Sequence, residues 1–218
     1  MAIVVIGGHS RDVGKTSVVA GLIAALPDRH WLAMKITQYG HGICSANGEP
    51  CDCVTADHSL AVSEERSRAG DTDTSRFLVA GAQRVLWVRT EQGMLAEAMP
   101  RVRAEIAQAE NVIIESNSVM KFVRPTLYIA VLDPSRADFK SSARENLDRA
   151  DALLLRTTDG KVEWKDVSLK PVQGRPFFAF TPPEYVPSNF AAFVRSRLDA
   201  SLPPAPPPPS GVKLSQQE

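Results

Sequence analysis

The sequence predicts a three-layer α/β fold with a doubly wound, mainly parallel sheet. Short apolar runs recur along the chain, helix-like segments separate them, and a glycine-rich turn follows the first run directly. Continuous apolar runs suit strands covered on both faces. Their alternation with helical segments suits parallel crossover units.

The expected strands are AIVVI (2–6), WLAMKI (31–36), RVLWVR (84–89), NVIIES (111–116), LYIAVLD (127–133), ALLLR (152–156) and PFFAF (176–180). Helices are expected over Lys15–Leu26, Thr74–Ala82, Met94–Ala109, Ser141–Arg149 and Asn189–Ala200, with Pro100 interrupting or restarting the third. SEERSR (Ser63–Arg68) reads as a solvated helix face, and Trp31, Trp87 and Trp164 as packing residues. The segment 37–69 breaks the rhythm, being polar and rich in Gly, Cys and Asp. So long an insertion in a compact domain is usually functional, and it leaves its strand at the carboxyl edge, where open α/β sheets bind ligands. Residues 1–200 therefore read as one domain with an insertion at 37–69. From Leu202 the chain reads LPPAPPPPSGVKLSQQE, so 201–218 is expected to be a disordered or polyproline tail.

With 25 basic and 25 acidic residues in 218, there is no chain-wide positive field to gather nucleic acid or an anionic membrane. A small molecule or a protein is the expected partner. The N-terminal apolar run is too short for a leader or a span, and a cytoplasmic location is expected.

The stretch GGHSRDVGKTS (Gly7–Ser17) lies behind the first strand and opens a helix, the context that makes a phosphate-binding loop credible. Successive amides and the helix amino end form a positive concavity. Gly8, His9, Ser10, Arg11, Asp12, Val13, Gly14, Lys15, Thr16 and Ser17 are its expected residues. Lys15 would neutralise charge between the outer phosphates, Thr16 would place its hydroxyl on Mg2+, and Gly14 admits the backbone closely. Asp12 would repel a polyphosphate unless it turns outward or meets a metal. The glycine stands one place early, giving G-x5-G-K-T. NVIIES ends in Glu115 at a strand's carboxyl edge, the Walker B arrangement, from which it could hold Mg2+ directly or through water. Lys15, Arg11 and Glu115 are thus the expected catalytic charges.

The longer loop resembles the GTDTGVGKT loop of dethiobiotin synthetases, within the SIMIBI class of P-loop NTPases. Many members of that class carry an extra lysine early in the loop, as in KGGxGKT. Here that place is Ser10, with Arg11 beside it. The segment DTSRFLVAGAQRVLWVR (Asp73–Arg89) is similar to GKDSxRHxxAGA and the following strand of the molybdopterin-guanine dinucleotide biosynthesis protein B family. The order of loop, MKI, DTSR…AGA, strand and IIES runs parallel to that family over residues 1 to about 135. Lys35 matches a lysine of its second strand, whereas ESNS stands where that family has a glycine after the glutamate. The resemblance implies Mg2+-dependent binding and weak hydrolysis of ATP or GTP in support of molybdenum cofactor maturation, an accessory role in cofactor or metal-centre assembly. Lys15, Thr16, Asp73 and Glu115 are then the phosphate and Mg2+ contacts. Asp73 reads equally as a helix cap. An assembly protein is the implied partner and a homodimer the analogy. Two other readings stay open: an ATP-dependent ligase like dethiobiotin synthetase, with Lys35 and Ser116–Ser118 meeting substrate, or a non-catalytic nucleotide switch. GTPases place N-K-x-D in the loop that corresponds to the one after ALLLR (152–156). Here Arg156, Thr157, Thr158 and Asp159 match only in the aspartate, so ATP versus GTP stays open.

All three cysteines, Cys44, Cys51 and Cys53, fall in the insertion with His41 and His58 nearby. Three thiolates and an imidazole can complete a zinc shell, and such loops also carry iron–sulfur clusters. The spacing C-x6-C-x-C matches no standard finger, and reduced cytosolic thiols are the alternative.

Overall fold

The computed structural model describes residues 1–39, 60–158, 164 and 167–201. Its core is an eight-stranded sheet in the order β3-β4-β2-β5-β1-β6-β7-β8. The strands are β1 (Ala2–Gly8), β2 (Trp31–Tyr39), β3 (Leu60–Glu64), β4 (Arg84–Glu91), β5 (Asn111–Glu115), β6 (Leu127–Leu132), β7 (Ala152–Arg156) and β8 (Phe177–Phe180). Every pairing is parallel except β3 with β4. The helices are α1 (Lys15–Ala25), α2 (Asp73–Val79), α3 (Leu95–Ala107), α4 (Ser141–Arg144) and α5 (Ser188–Ala200).

The continuous apolar strands are covered on both faces, as parallel sheets require. On one face α1, α2 and α5 bury Val18, Val19, Leu22, Phe77, Phe190 and Val194 with Val4 and Ile6 of β1. On the other, α3 buries Leu95, Met99 and Val102 with Val5, Val112 and Ile114. Helix α1 has no side-chain cap. Full burial of an aliphatic side chain contributes about 1.5–3 kcal/mol, so packing rather than capping holds it in place. Pro100 lies within the first two turns of α3, and the helix continues through it to Ala107.

Three expectations change. The segment 37–69 is no single loop, because β2 continues to Tyr39 and 60–64 forms the antiparallel edge strand β3. SEERSR accordingly ends that strand and continues as irregular chain, not as a helix. LAVSE is too short and too mixed for its pattern to announce a strand. Its pairing with β4, Leu60 opposite Thr90 and Glu64 opposite Leu86, decides it. The expected helix 141–149 is a single α turn followed by a 3-10 turn at Leu147–Arg149. Cys44, Cys51, Cys53, His41, His58, Asp159 and the tail from Leu202 lie outside the described residues. Among the described residues no helix is long and apolar enough to cross a membrane.

The end of β1 is the tightest point of the sheet. A Cβ at Gly7 would stand 2.3 Å from Asn117 Oδ1 and 2.7 Å from the hydroxyl of buried Tyr128. Gly7→Ala is therefore expected to destabilise the chain by about 1–3 kcal/mol through overpacking. Chemical denaturation would show this as a lowered midpoint with an unchanged slope.

Candidate functional site

The loop after β1 turns into α1 with Asp12 (φ 55°) and Gly14 (φ 97°) both in left-handed backbone conformations. At Gly14 a side chain would also strike Tyr185, whose ring atom would lie 2.8 Å from the added Cβ. The helix ladder begins when Val18 N–H donates to Gly14 C=O, so the first-turn amides of Lys15, Thr16 and Ser17 precede it. The residues that carry them line a cleft of about 790 Å³ at the carboxyl edge of the sheet.

Side chains from distant elements brace this loop. Asn117 clamps Gly8: the Gly8 N–H donates to Asn117 Oδ1 (2.9 Å), and Asn117 Nδ2 donates to Gly8 C=O (2.8 Å). His9 is fully buried, 5.0 Å from the Phe139 ring and 5.2 Å from that of Trp164. Its Nε2 accepts from the Asp133 N–H (3.0 Å), so Nδ1 carries the proton and donates to Asp138 C=O (2.8 Å). The His9 N–H donates to Val131 C=O and the His9 C=O accepts from the Lys140 N–H. His9 thus anchors the loop, and its polar groups are all engaged away from the cleft. Val13 is likewise a core residue, and the Ser10 hydroxyl donates to Asp138 Oδ2 (2.7 Å). Of the expected loop residues, Arg11, Asp12, Gly14, Lys15, Thr16 and Ser17 line the cleft.

Lys15 Nζ donates to Ser10 C=O at 2.6 Å. Burial holds its pKa at about 8 against the pull of Glu115, and Lys140 and Lys35 depress it further. Opposite, the Thr16 hydroxyl donates to Glu115 Oε2 at 2.9 Å. Glu115 is register partner to Ile6 of β1 on one side and to Lys35 of β2 on the other. Lys35 Nζ therefore sits 3.4 Å from both Glu115 oxygens and hydrogen-bonds Asp73. Burial pulls the Lys35 pKa down, but Glu115 and Asp73 outweigh it and the net shift is upward. The structure thus gathers Thr16, Asp73 and Glu115 around one point, now bridged by an ammonium. Thr72, rather than Asp73, caps α2, with its hydroxyl accepting from Ser75 N–H and Ser75 answering in a capping box.

Sequence reasoning passed over several neighbours. Arg76 of α2 donates to the Ser17 hydroxyl (2.9 Å), Lys140 enters from the segment after β6, and Tyr185 packs over Gly14. None had a local signal, because each arrives from a different crossover. In all, Arg11, Lys15, Lys35, Arg76 and Lys140 face Asp12, Asp73 and Glu115 in the cleft, a surplus of positive charge suited to a polyanion. Beyond the phosphate loop the lining turns to neutral polar groups, including Thr37, Gln38, Gln92, Ser116 and Ser118. At the end of β7, Arg156 pairs with buried Asp133 (2.9 Å), and just past it Thr157 N–H donates to Phe180 C=O.

Burial pulls the His9 imidazole below its usual value, outweighing the opposing influence of Asp138 and Asp133. A proton at Nε2 would also break the bond from Asp133. The unfolded chain takes up that proton as pH falls through about 6.5 while the folded chain does not, so stability declines below that pH. Thermal melts across pH 5–8 should show this slope, and His9→Gln should flatten it while lowering the melting temperature throughout.

No family model matches the chain, and no curated protein matches it either. Solved structures do. HypB from Helicobacter pylori, in complex with nickel, is 14% identical over 93% of this chain and 90% of that one, with a TM-score of 0.50. LpxK from Aquifex aeolicus, in complex with ATP, is 17% identical, with a TM-score of 0.46. The match covers 82% of this chain and 53% of LpxK. Bacillus subtilis MobB is 14% identical over 90% of this chain and 98% of that one, at a TM-score of 0.44. The eight-stranded, mainly parallel sheet with helices on both faces agrees with the first of these likenesses. The chain has the fold of the P-loop NTPases.

Proposed function

We propose that the cleft binds a Mg2+–nucleoside triphosphate, ATP or GTP, and that the chain hydrolyses it as an accessory protein of cofactor or metal-centre assembly. One observation carries the nucleotide reading: Lys15 and the other first-turn residues of α1 line the same cleft as the hydrogen-bonded Thr16 and Glu115. Thr16, Glu115 and Asp73 offer only oxygen donors, which suits Mg2+. The ion would supply charge neutralisation at the phosphates. Lys35, bridging both carboxylates, then balances charge beside it. Arg11 and Lys15 would meet the phosphates.

The assembly role rests on the resemblance over residues 1 to about 135 and on the placement of the insertion. Both of its anchors, Tyr39 opposite Glu91 and Leu60 opposite Thr90, stand at the carboxyl edge, next to Gln38 and Gln92 of the cleft. Cys44, Cys51 and Cys53, with His41 and His58, are the ligands proposed for zinc or an iron–sulfur cluster there. Metal analysis of anaerobically purified protein tests this. A homodimer and a protein client complete this reading.

A second reading, phosphorylation of a small-molecule acceptor in a ligase, draws on the polar extension of the cleft past Lys35 towards Ser116 and Ser118. The two differ in whether nucleotide turns over without an acceptor.

Lys15 keeps a buried ammonium among like charges, a cost to the folded chain that binding would offset. Without nucleotide, Lys15→Met is expected to raise the melting temperature by roughly 2–4 °C for each kcal/mol recovered. In the parent protein Mg2+ with ATP or GTP should raise it instead, because a ligand held only by the folded state stabilises that state. Lys15→Met should abolish the rise. A parent protein unmoved by either nucleotide would overturn the reading.

A further inference from the structure

The segment between β6 and α4, Asp133–Lys140, carries no nucleotide-site motif, yet it is fastened to the first half of the phosphate loop. The Asp133 N–H donates to His9 Nε2 (3.0 Å), His9 Nδ1 to Asp138 C=O (2.8 Å) and the Ser10 hydroxyl to Asp138 Oδ2 (2.7 Å). The last tie is the Lys140 N–H, which donates to His9 C=O at 2.8 Å. Lys140 cannot slide against the loop without breaking a bond to a fully buried residue. Its half-buried side chain lines the cleft with Arg11 and Lys15, and among the described residues its ammonium forms no ion pair. Burial, then Arg11, lower its pKa despite Asp138 and Asp12. A cation pinned by its backbone among other cations is unfavourable until an anion arrives.

Lys15 fixes which end of the cleft Lys140 serves. Its Nζ reaches back to Ser10 C=O, so its ammonium lies at the Ser10 end of the loop. In a phosphate loop this lysine reaches the β- and γ-phosphates. The Ser10 end is therefore the outer-phosphate end, and Lys140, bonded to adjacent His9, stands there.

Resting on the nucleotide reading above, we propose that Lys140 contacts the terminal phosphate from within the same chain, and so makes the site prefer a triphosphate to a diphosphate. Ser10, at the loop position where other members of the class have a lysine, instead helps hold the segment that delivers this one. The preference arises because only the triphosphate presents the outermost charge at this end. Lys15, which in such a loop reaches the β-phosphate as well as the γ-phosphate, serves both nucleotides.

Equilibrium titration of the full chain with Mg2+ tests this, using non-hydrolysable ATP and GTP analogues alongside ADP and GDP. Lys140→Ala and Lys140→Gln are each expected to weaken the triphosphate analogue about 10-fold or more, the worth of one charge-assisted contact, and to leave the diphosphate within about twofold. Lys140→Arg should restore most of the difference. Arg136→Ala, which removes an exposed cation of the same segment, should alter neither. Equal losses for both nucleotides, or none, in variants whose melting temperature matches the parent would overturn the assignment and leave the nucleotide reading standing. A parent chain that binds none of the four ligands would overturn the reading, and the assignment with it.

Discussion

The site depends on β1 being the central strand, hydrogen-bonded to β5 on one side and β6 on the other. A loop at its carboxyl end lies beside the chain segments that leave those two strands, and both supply braces. Asn117, just past β5, closes on the Gly8 backbone, and the segment past β6 encloses His9. A glycine-rich loop has little intrinsic preference for one shape. Here the neighbours impose the shape, which leaves the amides and Lys15 oriented before a ligand arrives. Pre-orientation of that kind avoids part of the ordering cost of binding.

Register does for the carboxylate side what those braces do for the loop. Because Ile6, Glu115 and Lys35 are consecutive partners across β1, β5 and β2, a carboxylate and an ammonium must share one level of the sheet edge. Glu115 then has Thr16 on one side and Lys35 on the other, and Asp73 completes the group from α2. A slip of one residue in either pairing would carry Lys35 or Glu115 to the opposite face, so the site is as strongly specified as the core. The same edge carries Tyr39 and Leu60, the described residues on either side of 40–59.

Much of this was legible before folding. The seven apolar runs became seven parallel strands, since a run apolar on both faces has only the middle of a covered sheet to occupy. The turn from β1 into α1 and the place of Glu115 at a strand's end were legible because the geometry of a strand–loop–helix unit is local. Strand β3 was not, as LAVSE is shaped by its partner β4 rather than by its own pattern. Nor was the role of His9, which its place in the loop suggested was a ligand contact and which the fold turns inward against Phe139 and Trp164.

By itself, then, the sequence determined the layers, the order of the seven parallel strands, and the turn carrying Gly14, Lys15 and Thr16, because propensity, periodicity and glycine stereochemistry act over a few residues. Only the tertiary structure decided which side chains meet there. Asn117, Arg76, Lys140 and Tyr185 reach the loop from crossovers separated by tens of residues, and Lys35 meets Glu115 through strand register. Such meetings follow from how the sheet is wound, and no local pattern in the chain encodes them.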